Sequence, residues 1–259
     1  MFVRRLALTC VLVAAMSAAA LADSRITFKA TEGSGSMLQT LLVGQGKLRI
    51  DADATTSLIV DPKAETVVIL MHSQKQFMRM TRAQIDQLGG LLDTVMKQMQ
   101  ATLAAMTPEQ RAKAEASMGP LAGGGAVVTT NTGKTAKVAS HTCRIYQTTS
   151  AGKPIAEVCY GDLAAIQMPA ADRATVQAAM KMGKDMFDKV ARGPMAQFAK
   201  AAPFSADGVP LRSTEFGADG SRRTSEFAGV TTGAIPAETF AVPAGYKEQA
   251  MPMVGRGGR

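Results

Sequence analysis

The sequence predicts an α+β protein: one long curved antiparallel sheet, a half-barrel, with helices packed on one face. Three observations point there. Short segments of period-two alternation, broken by Gly, Pro and Asp turns, fill both ends of the chain. Two stretches, 81–118 and 170–200, carry helical periodicity instead. Cys143 and Cys159 flank a hairpin-like segment centred on Ala151, which predicts that they lie almost opposite each other within reach of a disulfide.

The first block, residues 25–80, is a meander. Arg25 to Lys29 alternates, Ser34-Gly35-Ser36 turns, and Met37 to Val43 continues as a strand. Lys47 to Asp51 places Leu48 and Ile50 on one face with charges on the other. Leu58-Ile59-Val60 is short and apolar. Asp61 to Glu65 is a turn, because Pro62 fixes φ and Asp61 can bond the backbone ahead. Thr66 to Met71 and Gln76 to Met80 form the next pair, joined through His72 to Lys75.

A helix starts at Thr81, a good N-cap with Gln84 three residues on and Met80 and Ile85 as a hydrophobic staple. Ile85, Leu88, Leu92, Val95 and Met99 recur at steps of three or four and form one apolar stripe. Gly89-Gly90 weakens the helix. Thr107-Pro108 opens a second one. After Gly123-Gly124-Gly125, strands are expected at 126–130 and 135–140 around an Asn131 to Lys134 turn, leading into the cysteine hairpin. The next helix runs from about 171 to 191, with Val176, Met180 and Phe187 on its stripe, and a shorter piece from Pro194 to Lys200. Three closing strands follow at 209–216, 221–230 and 238–242, and the tail at 251–259 reads as disordered.

Residues 1–22 read as a secretory signal. Arg4 and Arg5 give the positive region, Leu6 to Ala15 the apolar core, and Ala20-Leu21-Ala22 a small-x-small site with cleavage between Ala22 and Asp23. The remainder, 23–250, reads as a single domain. No other run approaches the roughly 18 apolar residues of a membrane helix, so no transmembrane segment is expected in the mature chain. The address is therefore exported, and two remaining cysteines in an exported chain read as one disulfide. The net charge of +8 is scattered, without a Lys/Arg block or interleaved aromatics, which argues against nucleic acid.

The sequence carries no complete motif for catalysis or phosphate binding. Gly133-Lys134-Thr135 lacks the first glycine of a phosphate loop, Val128 standing in its place, and lies between strands. Gly33 to Met37 lacks the closing glycine of a nucleophile elbow. With 2 histidines, neither a hydrolase triad nor a zinc site is expected, and His72 reads as a solvated loop residue. No enzyme activity, cofactor or metal is expected. The 17 methionines admit three readings: gap-filling core, an adaptable aliphatic pocket, or soft Cu(I) ligation at Met78/Met80, Met96/Met99, Met180/Met182/Met186 or Met251/Met253.

Several segments taken together carry a resemblance: Gly46-Lys47-Leu48-Arg49-Ile50-Asp51, the Asp61-Pro62-Lys63 turn, Met106 to Arg111, Cys143-Arg144-Ile145-Tyr146, and Phe240-Ala241-Val242-Pro243-Ala244-Gly245-Tyr246. In that order they resemble the bacterial domain of unknown function numbered 4412, itself similar to the periplasmic lipoprotein-carrier (LolA/LolB-like) superfamily. The resemblance implies a half-open antiparallel barrel with helices as a lid over an apolar concavity, in a Gram-negative periplasm. The leading expectation is a non-enzymatic protein holding a lipid or acyl ligand beneath its helices, with Ile85, Leu88, Leu92, Val95, Met99, Met180 and Phe187 as ligand or core stripe. The alternative is an envelope interaction or structural protein with a filled core and a protein partner.

Overall fold

The structure, a computed structural model, describes residues 23–117, 127–190, 208–217 and 219–250. The leader, the 123–125 link, the helix expected at 194–200 and the 251–259 tail lie outside the described residues. The first run of strands is β1 (Asp23–Glu32), β2 (Gly35–Gly44), β3 (Lys47–Asp51), β4 (Thr56–Asp61), β5 (Thr66–Met71) and β6 (Gln76–Thr81). Helices α1 (Arg82–Ala105) and α2 (Pro108–Ser117) follow, then β7 (Val127–Val138), β8 (His141–Ser150), β9 (Lys153–Gly161) and α3 (Ala170–Val190). The chain closes with β10 (Val209–Phe216), β11 (Arg222–Gly233) and β12 (Lys247–Glu248).

Among the described residues, twelve strands join one open sheet in the order β12-β6-β5-β4-β3-β2-β1-β11-β10-β9-β8-β7, antiparallel except for β12 on β6. The first strand of the domain thus lies inside the sheet, paired with β2 on one side and β11 on the other. In a flat sheet, β7 and β11 would stand about 19 Å apart. Some of their Cα atoms instead come within 8 Å, so this end of the sheet curls without closing.

The local reasons are as the sequence suggests. The β2–β3 turn uses Gln45 and Gly46 at φ 54° and 73°, the left-handed pair that a two-residue hairpin demands. Asp61 accepts the Ala64 amide at 2.9 Å. Thr81 and Gln84 form the full capping box of α1, which runs on through Gly89-Gly90. Thr107 and Gln110 exchange the same two bonds at the start of α2.

Three expectations need correction. The turn expected at Asn131 to Lys134 is a bulge within one long strand: Asn131 accepts the Gly133 amide, while the Thr132 hydroxyl holds the Ile145 carbonyl of β8 at 2.8 Å. Residues 238–242 are not a strand. Ala237–Phe240 is a single 3-10 turn that begins after Pro236. The cysteines are a diagonal pair rather than directly opposed, Cys143 facing Gly161 and Cys159 facing Ile145. Pro154 has no N–H to give the ladder, and the register shifts beside it. The bond nevertheless forms, with Cα atoms 5.3 Å apart.

The main core surrounds that disulfide. Ile26, Val43, Leu48, Val138, Val209, Leu211 and Phe227 from the sheet meet Ile166, Met168 and Val176 from α3 and its approach. A second apolar layer lies on the opposite face, where Phe240 and Ile235 cover Leu42. Val242 and Tyr246 cover Ile59, Val68, Leu70 and Phe77. Gly44 makes the first of these contacts geometrically feasible. A Cβ there would sit 2.5 Å from the Asp23 carboxylate and 3.0 Å from the Phe240 ring. Gly44→Ala is therefore expected to lower stability by about 1–3 kcal/mol in urea unfolding, the usual cost of overpacking.

Candidate functional site

Registers assign every side chain of the β2–β6 meander to a face. On one face two neighbouring rows run across all five strands. The first is Val43–Leu48–Val60–Val67–Met80, and the second is Leu41–Ile50–Leu58–Ile69–Met78. The two rows differ in cover. Helix α3 packs on β2 and β3, and its Val176, Ala179 and Met180 share a core with Val43 and Leu48. Val43, Leu48 and Val67 are accordingly buried, while Val60 and Met80 are half-buried, and Leu41 of the second row also packs against that core. In the second row every member keeps solvent contact. Leu41, Leu58, Ile69 and Met78 are half-buried and Ile50 is 39% exposed.

The second row is a strip one side chain wide, made of Leu, Ile and Met, with no aromatic or charged member. Its length is four strand spacings, about 19 Å. Beyond it lies the row Thr56–Met71–Gln76. There the Gln76 amide oxygen is buried without a hydrogen-bond partner among the described residues.

The stripe residues read from the helices distribute unevenly. Ile85 is buried at 6% exposure, near where α1 leaves β6. Met99 and Met180 are half-buried, and Val95 points to solvent at 48% exposure. The side chains of Leu88, Leu92 and Phe187 lie outside the described residues. Met78 and Met80 stand opposite Ile69 and Val67 in the two rows. Among the described residues no group of His, Cys, Asp or Glu could hold a metal.

The opposite face carries a polar chain. The Tyr246 hydroxyl is 2.7 Å from His72 Nδ1, and His72 Nε2 is 2.7 Å from Ser57 Oγ. Ser57 donates to Asp51 at 2.6 Å. Arg49 donates to Ser57, to Asp51 and to the Thr239 carbonyl. Ser57 has one proton and gives it to Asp51, so Nε2 must be the donor to Oγ, leaving Nδ1 to accept from Tyr246. The Ser57–His72 contact is not a hydrolase pair, because Ser57 is 1% exposed and its proton is committed. His72 is thus a structural link rather than a solvated loop residue. It ties Arg49 and Asp51 of one motif to Tyr246 of the other.

The carboxyl of Asp51 responds to opposing influences. Burial raises its pKa, but hydrogen bonds from Ser57 and Arg49, with the Arg49 charge, hold it below the ordinary carboxylate value. A depressed acid contributes stability above its unfolded pKa of about 3.9, lost as pH falls through the lower folded value. Asp51→Asn is expected to remove that part of the acid sensitivity, read as a flatter plot of urea midpoint against pH below 4.

At the centre of the sheet Ser24 is fully buried and donates to the Asp172 carboxylate in the first turn of α3 at 2.6 Å. Asp23, also buried, accepts the Ile235 amide at 2.9 Å on the other face. Burial pushes the Asp172 pKa up, and the nearby Asp23 carboxylate adds to this. The Ser24 hydroxyl and backbone N–H work against it.

No protein-family model and no curated protein matches the chain. Among solved structures it is similar to PNGF-II, with TM-score 0.41 and 12% identity over 88% of this chain and 31% of that one. It is also similar to a chain of the Pseudomonas aeruginosa MucA/MucB complex, with TM-score 0.32 and 14% identity over 87% of this chain and 56% of that one. A LolA superfamily protein from Nitrosomonas europaea aligns at TM-score 0.24 and 9% identity over 86% and 90% of the two chains. The chain thus spans about a third of the PNGF-II chain and just over half of the MucA/MucB one. At these scores the likenesses carry no functional argument, and function is argued from the geometry.

Proposed function

We propose that the protein is a non-enzymatic periplasmic binding protein that takes one aliphatic chain along the Leu41–Ile50–Leu58–Ile69–Met78 strip, beside helix α3. The observation that carries this is the strip itself: five paired aliphatic side chains, each still in contact with water. A strip of side chains this narrow, long and free of aromatics suits an extended acyl chain better than a protein helix, which is about 10–12 Å wide. Burying a methylene group there contributes about 0.8 kcal/mol. The buried Gln76 amide oxygen in the adjoining row offers an acceptor for a polar donor on the ligand. The disulfide, with both sulfurs in the core, fits an oxidising compartment. No described helix is long and apolar enough to cross a membrane.

The test is a titration of delipidated protein with a fluorescent fatty acid. Saturable binding of one equivalent is expected. Ile50→Lys places a charge in the middle of the strip at an already exposed position, so it should leave stability nearly unchanged and weaken binding at least tenfold. No binding by the wild type, or equal binding by the variant, would remove the acyl-chain reading and leave the interaction-protein reading in its place.

A further inference from the structure

We propose that Asp172 is the receptor for the amino terminus created by cleavage after Ala22, so that export itself completes the ion pair fastening helix α3 to strand β1. The proposal rests on the exported reading and goes beyond it. Two independent observations meet at one point. The sequence places the scissile bond between Ala22 and Asp23. The structure places a carboxylate, that of Asp172, 5% exposed, against Ser24, the second residue after that bond.

Asp172 accepts the Ser24 hydroxyl at 2.6 Å. It has no cationic partner among the described residues. The second acid, Asp23, is itself 8% exposed and lends no compensation. Two buried carboxylates on either face of the same strand end, close enough for Asp23 to raise the Asp172 pKa and with no opposite charge on Asp172, are a costly arrangement in an uncleaved chain. Hydrolysis of the Ala22–Asp23 peptide bond consumes one water and leaves a carboxylate on Ala22 and an ammonium on Asp23. That ammonium appears on the residue just before Ser24, whose hydroxyl Asp172 already holds. Before cleavage the same nitrogen is a neutral amide and offers no charge.

The location gives the pair a structural role. Strand β1 lies inside the sheet, paired on both sides, and α3 covers the first apolar row. The row beside it is the proposed acyl strip. A pair between the β1 start and the first turn of α3 holds the helix in register with the edge of that strip. The helix dipole favours Asp172 at this position too, but cannot by itself supply a counter-charge of one unit.

The experiment compares a chain made to start at Asp23, by removal of an N-terminal fusion, with one carrying Gly-Ser ahead of Asp23. The α-amino group of Asp23, followed by NMR, is expected to titrate at least one unit above the ordinary range of about 7.7–8.0, and Asp172→Asn should return it to that range. The two extra residues should raise the unfolding equilibrium constant about tenfold, and Asp172→Asn should cost less in the extended chain than in the chain starting at Asp23. An ordinary titration of the wild-type amino group overturns the pairing without using any variant. So does an equal cost of Asp172→Asn in both chains. An exported protein whose mass starts at another residue overturns the cleavage on which the proposal rests.

Discussion

Replacing Phe240 by alanine is expected to lower stability by about 3–5 kcal/mol, the range for a buried phenylalanine. The ring is 2% exposed and lies with Ile235 over Leu42, above the space that Gly44 leaves open. Its loss would release the segment leading into Val242 and Tyr246, and with it the cover on Ile59, Val68, Leu70 and Phe77. The edge strand β12 hangs on the same segment, through the Lys247 amide on the Lys75 carbonyl and the Gln249 amide on the Phe77 carbonyl. Urea unfolding measures the loss. Phe240→Leu should recover more than half of it, because the apolar volume is largely restored. The folded fraction of Phe240→Ala should bind acyl chain with unchanged stoichiometry, since the ring packs on the face away from the strip.

The second large effect belongs to the disulfide. Cys143→Ala with Cys159→Ala is expected to cost about 3 kcal/mol, from the entropy regained by opening a loop of 16 residues. Both sulfurs belong to residues 1% exposed, in the core shared by Leu211, Val176 and Phe227. A reductant should therefore act on the native protein only as fast as the molecule opens. The rate of thiol appearance should track the unfolding rate rather than the reductant concentration. Leu211 occupies the space left by Gly161, where a Cβ would run into its side chain. This corner of the core has no room to absorb two lost sulfurs by simple collapse.

The strand and helix order was legible because each element carries its own local signal. Alternation marks Lys47 to Asp51, the Thr81–Gln84 box marks the start of α1, and Pro62 marks a turn. The expected α+β class corresponds to an open sheet of mixed strand direction with helices, one strand of which is parallel. What alternation could not supply was pairing across distance. That β1 meets β11, nearly two hundred residues on, follows from no local pattern. Residues 238–242 alternate like a strand, yet Pro236 and Pro243 flank a turn that packs as a plug.

The candidate site was half legible. The helix stripes were visible, but their partner surface was not. The strip takes one residue from each of five strands, and only the registers set by the Gln45-Gly46 turn and its successors align them. His72 was hidden for the same reason: its partners Ser57 and Tyr246 lie 15 and 174 positions away. The alternating phase of Ile50, Leu58, Ile69 and Met78 would have served as the signal had the turns been trusted to fix register.

The most direct test of the central claim is a methyl NMR titration of delipidated, disulfide-bonded protein labelled at Ile, Leu and Met, with a saturated fatty acid as probe. Leu41, Ile50, Leu58, Ile69 and Met78 are expected to shift together and saturate at one equivalent, while Ile59 and Leu70 on the opposite face stay in place. Shifts confined to Ile59 and Leu70, or a spectrum untouched by the fatty acid, would contradict it.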